Sequence, residues 1–165
     1  MAEYGSDVLT GGTASADTVL APAAQAVDDD VGTYWQSNIT FPHWWKYDLG
    51  AAVTKRVRKL RVKPGYSAEY QRFKDFVLAG SNNDSDWDDL YTGQHANNID
   101  WEDYIIPNTV LYRYYRITIS SSWEAGDGTC VIQEIEMMEQ TDWPAVFETF
   151  SLNPPIFLPP KVVSY

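Results

Sequence analysis

The chain is short of the residues that mark several large classes of protein. It has one cysteine, Cys130, so no disulfide can close within it. Its two histidines, His43 and His95, lie far apart in sequence, and no HExxH, nucleophile elbow or phosphate-binding glycine loop occurs. Acid pairs such as Asp88-Asp89 carry nothing that marks a glycosidase, so no catalytic centre is expected. Basic residues are scarce too: 12 Lys and Arg stand against 23 Asp and Glu, a net charge of −11. A surface of that sign repels a phosphate backbone and an anionic bilayer, so nucleic acid is not an expected partner. No apolar run reaches the length of a transmembrane helix, and no membrane insertion is expected. The first residues are acidic and lack an apolar stretch, so no signal peptide is read in the chain.

Aromatic residues, by contrast, are abundant. They make up 15% of the 165 residues, with seven Trp and eleven Tyr, enough for one domain with a substantial core. Apolar residues alternate with polar ones in several runs, which is the period of a half-buried strand. Trp45, Tyr47 and Leu49 fall on one face of such a run; Tyr115, Ile117 and Ile119 fall on one face of another. In the basic run from Lys55 to Val62, Val57 falls out of phase with Leu60 and Val62, which points to a bulge or a strand start near Lys59. That run is read as a solvated strand face pairing with neighbouring acids. Residues 1–18 are small and polar and read as a loose arm entering a first short strand. A helical turn over 21–26 follows, with Asp17 or Thr18 as its cap.

Residues 25–37, QAVDDDVGTYWQS, are the centre of the pattern. Three adjacent carboxylates resist burial unless a cation neutralises them, yet Tyr34 and Trp35 follow at once and want burial. Asp28, Asp30 and Thr33 supply hard oxygens within one short loop, the chemistry that calcium prefers. The plain alternative is a solvated acidic turn.

This stretch resembles the A-F-D-G-D-x-x-T-x-W-x-S block of discoidin domains, also called coagulation factor five/eight C-type domains. WWKYDLG, FKDFVLAGSNNDSDW, YRYYRITIS and CVIQEIEMME resemble further blocks of the same family, in the same order, across residues 5–139. The resemblance implies an all-β fold, an antiparallel β-sandwich of the jelly-roll, galactose-binding-like type that many carbohydrate-binding modules share. It also implies structural Ca2+, with side-chain ligands at Asp28, Asp30, Thr33 and Glu134. Backbone carbonyls at Gln25 and around residues 131–133 would complete the shell. Sugar would bind in loops at one end of the sandwich, by aromatic stacking and by hydrogen bonds from His, Arg and Asn. The family's P-R-x-x-x-x-x-N-G signature is missing after the first basic strand, and Gln36 stands where a histidine is usual. Candidate substitutes are His43, Trp44, Tyr66, Tyr70, Arg72, His95, Trp101 and Trp123. Each also has an ordinary reading, Trp44 and Trp101 as core and the histidines as surface residues.

Composition changes after Glu139. Residues 140–165 hold five of the nine prolines among many apolar side chains, too interrupted for a helix and too apolar for a solvated linker. They read as an extended Pro-rich C-terminal arm on a discoidin-like domain of residues 1–139. The arm would contact other subunits, in a homo-oligomer among other arrangements, or wrap its own domain. The functional expectation is a non-catalytic, calcium-stabilised module that binds surface glycan or glycoprotein. It would be extracellular or on a virion surface, as a decoration, fibre or tail protein. The alternatives are an assembly subunit without sugar binding and a module cut from a secreted glycoside-active enzyme.

Overall fold

The structure, a computed structural model, describes residues 2–38, 40–65, 69–126 and 128–142. Ten strands form two antiparallel sheets packed as a sandwich. They are β1 (Tyr4–Asp7), β2 (Thr13–Ala16), β3 (Trp35–Gln36), β4 (His43–Asp48), β5 (Val57–Pro64), β6 (Asp75–Ser81), β7 (Asp88–Gln94), β8 (Glu102–Ile105), β9 (Tyr114–Ile119) and β10 (Val131–Gln140). One sheet runs β1-β10-β5-β8, with β3 also paired to β10; the other runs β2-β4-β9-β6-β7. Short 3₁₀ turns at Ala23–Ala26 and Glu69–Gln71 are the helical segments of the described residues. The expected all-β sandwich is therefore present.

Alternation builds the core, because successive strand residues face opposite sides of a sheet. β4 alternates buried and half-buried residues along its length, and β9 does so in the opposite phase. Trp35, Trp45, Phe73, Tyr115, Ile117, Ile119, Ile132 and Ile135 are at most 1% exposed. Burying each such side chain contributes about 1.5–3 kcal/mol. The polar ends of the buried rings find partners. Trp35 Nε1 donates to the Thr18 carbonyl at 3.2 Å and Trp45 Nε1 to the Ala23 carbonyl at 2.9 Å. The segment before the acidic loop is thereby fastened to the core. Tyr115 on β9 reaches across, donating from its hydroxyl to the Lys55 carbonyl at 2.6 Å.

Of the two readings of the phase break near Lys59, the structure has the bulge. Pairing shifts between Met138↔Lys59 and Glu139↔Val57, leaving Arg58 as the extra residue and turning Val57 inward. The basic run on this strand pairs with acids: Lys59 with Asp103 at 2.7 Å, Arg61 with Asp103 and Glu136 at 3.3 Å, and Lys55 with Glu139 at 3.3 Å.

The N-terminal expectation is corrected. Where a loose arm entering one short strand was expected, residues 4–7 and 13–16 are both strands, held by β10 and β4 respectively. The turn that follows has no side-chain cap; Pro22 opens it. Asp17 instead accepts from the Trp44 amide, and Thr18 from the Asn38 amide. At the other end β10 reaches Gln140, and Thr141 and Asp142 exchange hydrogen bonds with Glu3. The rest of the expected arm, residues 143–165, lies outside the described residues.

Candidate functional site

The acidic loop follows directly from the turn fastened by Trp45. Asp28 Oδ1 accepts from the Asp30 amide at 3.1 Å, and Asp30 Oδ1 from the Gly32 amide at 2.8 Å. Asp29 between them takes φ 60°, a left-handed conformation that Asp tolerates better than most residues. This folding gathers oxygens around Thr33. Its Oγ1 lies 2.9 Å from both carboxylate oxygens of Asp28, 3.0 Å from the Asp30 carbonyl and 3.4 Å from the Gln25 carbonyl. A hydroxyl has one proton to give, so most of these contacts set one acceptor against another.

β10 closes the loop from below. Gln133 Nε2 donates to the Val31 carbonyl, and Glu134 beside it is only 2% exposed. Glu134 Oε2 is buried without a hydrogen-bond partner. Burial, and then the negative charges of Asp28 and Asp29, push its carboxyl up to about 7. Among the described residues no three His, Cys, Asp or Glu side chains gather as a metal centre. The donor set is instead two carboxylates, a hydroxyl and main-chain carbonyls, all oxygen, which fits a hard cation such as calcium. Two details differ from the expected ligand set. Asp30 turns its backbone carbonyl to the cluster and its carboxylate toward Gly32. The Val131 carbonyl, expected in the shell, accepts from the Gly65 amide at 2.9 Å.

The expected sugar-binding residues fall into three places. Arg72 and Trp123 come together. Arg72 Nη1 donates to Asn97 at 3.1 Å and lies 3.7 Å from Glu69, which itself accepts from Asn97 at 3.2 Å. The Trp123 amide bonds the Arg72 carbonyl at 3.2 Å, and its Nε1 bonds the His95 carbonyl at 3.0 Å. Lys74 places its ammonium 4.9 Å from the Trp123 ring centroid. Beside this ring opens a pocket of about 310 Å³, lined by Phe41, Ser120, Ser121, Ser122, Trp123 and Glu124, among others. Tyr70 belongs to the Glu69–Gln71 turn in the same loops. Tyr66 lies outside the described residues.

The histidines are corrected: both are buried, so neither ring meets a ligand arriving from solvent. His43 is 1% exposed, with Nδ1 3.1 Å from Asp17 and Nε2 2.7 Å from the Gly128 carbonyl. It ties the pocket's loop to β4. Gly128 has φ 81°, and a Cβ there would come within 2.6 Å of the Thr40 nitrogen, so this close approach of two loops requires glycine. His95 is fully buried, its ring 4.7 Å edge-on to Phe73. What it offers the site is its backbone carbonyl. Trp44 and Trp101 are neither core nor part of this pocket. They are half-buried on opposite sheets, Trp44 against Lys46 and Trp101 stacked 4.5 Å from the Arg61 guanidinium carbon. Sequence reasoning missed Lys74 and the serine run, whose residue types carry no signal without the loop geometry. Cys130 is buried, which pushes its thiol up and leaves it a poor nucleophile.

Comparison with known proteins bears on this geometry. The family model described as F5/8 type C domain matches residues 11–135. The chain belongs to the F5/8 type C domain family. No curated protein sequence gives a significant match. Solved F5/8-like modules share the fold at low identity. The family 32 CBM of NanJ from Clostridium perfringens, in complex with galactose, is 18% identical with a TM-score of 0.72. That match covers 83% of this chain and 100% of the other. A CBM32 module from C. perfringens in complex with GalNAc-β-1,3-galactose is 13% identical with a TM-score of 0.70, covering 82% and 100%. Chitosan-binding module 1 of a chitosanase/glucanase from Paenibacillus is 17% identical with a TM-score of 0.68, covering 81% and 98%. The F5/8 match takes in the acidic loop and all strands except β1, with β10 entered only as far as Ile135. No helix among the described residues is long and apolar enough to cross a membrane.

Proposed function

We propose that the chain is a non-catalytic glycan-binding module whose sugar site is the pocket beside Trp123. The observation that carries this reading is Trp123, held by its indole N–H on the His95 carbonyl and its main-chain amide on the Arg72 carbonyl, at the edge of a pocket of about 310 Å³ rich in hydroxyls. An aromatic ring fixed in place covers the apolar face of a sugar, while Ser and Glu oxygens meet its hydroxyl groups. Ring stacking is favoured because the cost of ordering Trp123 is met in the unbound state. Galactose and GalNAc-β-1,3-galactose, bound by similar modules, are the first ligands to test. Structural calcium at Asp28, Thr33, Glu134 and the Gln25 and Asp30 carbonyls would hold the acidic loop to β10 and take no part in chemistry.

The module would act outside the cell or on a virion surface, where glycans are met. A second reading, an assembly subunit, draws on Val19 and Leu20, which are 58% and 59% exposed beside an apolar pocket of about 440 Å³. Apolar residues 143–165 of another copy are the proposed occupant. Glycan-array binding with the wild type and Trp123→Ala, with light scattering on the same samples, tests both readings. Binding that disappears in Trp123→Ala without loss of fold supports the first reading; no binding to any glycan, in a protein that forms defined oligomers, supports the second.

A further inference from the structure

A separate cleft lies on the outward face of the β2-β4-β9-β6-β7 sheet. Register brings Lys46 beside Arg116 and Trp44 beside Thr118. The turn after β6 then folds back over them. Ser81 Oγ accepts from the Asn83 and Asp84 amides, and Asn83 Oδ1 from those of Ser85 and Asp86. These bonds fix the turn that carries Asp84 and Trp87. The result is a cleft of about 190 Å³ lined by Trp44, Lys46, Asp84, Trp87 and Arg116. That is less than a drug-sized ligand fills and suits one ring of a longer chain.

The charges in this cleft are unequal. Lys46 is neutralised, its Nζ lying 2.7 Å from both carboxylate oxygens of Asp84. Arg116 is not. Its guanidinium carbon stacks 4.2 Å from the Trp87 ring centroid, and its buried Nε–H has no acceptor. The Nε of Arg61 and of Arg72 is likewise buried without a hydrogen-bond acceptor, but those two and the arginines at 56, 58 and 113 each donate to an oxygen through another N–H or through Nε. In a chain with 23 acidic and 12 basic residues, Arg116 is one of two cations without an oxygen partner among the described residues, the other being Lys74 over Trp123. Stacking on an indole fixes the plane of the guanidinium, which pre-organises its donors for a planar anion.

We propose that this cleft is a binding subsite for a carboxylate-bearing sugar, a uronic acid unit. The sugar ring lies against Trp44 and Trp87, and its carboxylate takes a charge-assisted hydrogen bond from Arg116. Neutral sugars use the indoles alone and bind more weakly. The cleft is distinct from the pocket beside Trp123 but in line with it. Arg116, Thr118 and Ser120 share one face of the β9 strand and its continuation, and Ser120 lines that other pocket. Four residues of strand span about 13 Å, so an oligosaccharide leaving one site passes the other.

The test is calorimetric titration with trigalacturonate and with its methyl ester, which keeps the rings and removes the charge. The wild type should bind the acid at least ten-fold more tightly than the ester. Arg116→Gln should abolish that preference, Arg116→Lys should restore part of it, and Trp44→Ala should weaken both ligands. Trp44→Ala leaves the Trp87–Arg116 stack in place and so covers the case in which Arg116→Gln unfolds. Trp123→Ala should leave the acid–ester ratio unchanged, which separates this subsite from the proposed galactose pocket. Equal binding of acid and ester by the wild type, no binding of trigalacturonate, or an unchanged preference in a folded Arg116→Gln overturns the proposal.

Discussion

The loop from Gln25 to Thr33 and the loops around Trp123 are both polar, and they settle their polar atoms in opposite ways. Around Trp123 most polar atoms find partners: Arg72 Nη1, Asn97 and Glu69 are linked and the indole N–H finds the His95 carbonyl, and what is left over there includes a donor, the buried Arg72 Nε. In the acidic loop acceptors are in excess: Asp28 and the Asp30 and Gln25 carbonyls crowd the Thr33 hydroxyl, and the buried Glu134 Oε2 nearby has no hydrogen-bond partner. A linked network is a rigid surface, ready for a ligand that takes its half-buried ring. An excess of buried acceptors carries an electrostatic cost that a cation relieves. The same residue types therefore point to different partners, and the sign of the mismatch is what distinguishes them.

The sharpest way to break this contrast is to remove the cation. Calcium at a thousand times its dissociation constant should stabilise the wild type by about 4 kcal/mol over chelated protein. Asp28→Ala with Glu134→Ala should lose that increment, seen as a melting temperature that no longer responds to chelator. A wild type indifferent to chelator would return the loop to the plain reading of a solvated acidic turn.

The next effect is in pH. In metal-free protein the Glu134 carboxyl is raised to about 7, whereas in the unfolded chain it titrates as an ordinary carboxylate, at about 4.3. Between those values the folded state binds more protons, so stability falls as pH rises through that window. The total fall is at most about 4 kcal/mol, before solvent screening is counted. Saturating calcium, which favours the ionised form, should flatten the curve. Glu134→Gln should flatten it without calcium. Denaturant midpoints from pH 4.5 to 7.5 measure this directly.

The Trp123 side should respond in binding, not in fold. Trp123→Ala should weaken glycan binding at least ten-fold, about 1.4 kcal/mol, while the melting temperature in calcium moves by only a few degrees. A large stability loss with unchanged affinity per folded molecule would make Trp123 a packing residue.

How much of this was legible beforehand depends on what each feature is made of. The strands bearing Trp45–Leu49 and Tyr115–Ile119 announced themselves because side-chain burial alternates and residue type records burial. The irregularity in β5 was legible for the same reason, as a phase error between Val57 and Leu60. β1 left no such trace: Tyr4, Gly5, Ser6 and Asp7 pair with β10 through the backbone, and no apolar period marks that pairing. The histidines misled because imidazole is equally at home outside, at a ligand, or buried with partners, and only the packing of Phe73 and Gly128 decides. The position of Asp30 beside the oxygen cluster is legible in the spacing, but which of its oxygens faces that cluster is a matter of backbone turn geometry.

The smallest predicted effect lies beside the Trp123 pocket, at Asp75. The Ser121 hydroxyl and then the Gln94 amide donate to Asp75 and hold its carboxyl below the usual range. A carboxyl depressed in the folded state contributes stability that is present above its unfolded value and lost as pH falls through the folded one. Ser121→Ala should move the Asp75 titration upward toward the ordinary range, as read by carbon-detected NMR of the side-chain carboxyl. Because Asp75 is partly exposed, the accompanying stability change should be a few tenths of a kcal/mol. Ser121 also lines the pocket beside Trp123, so the same variant asks whether its hydroxyl is spent on Asp75 or shared with sugar. An upward Asp75 shift with unchanged glycan affinity assigns the hydroxyl to the network; a loss of affinity as well makes Ser121 part of the binding surface.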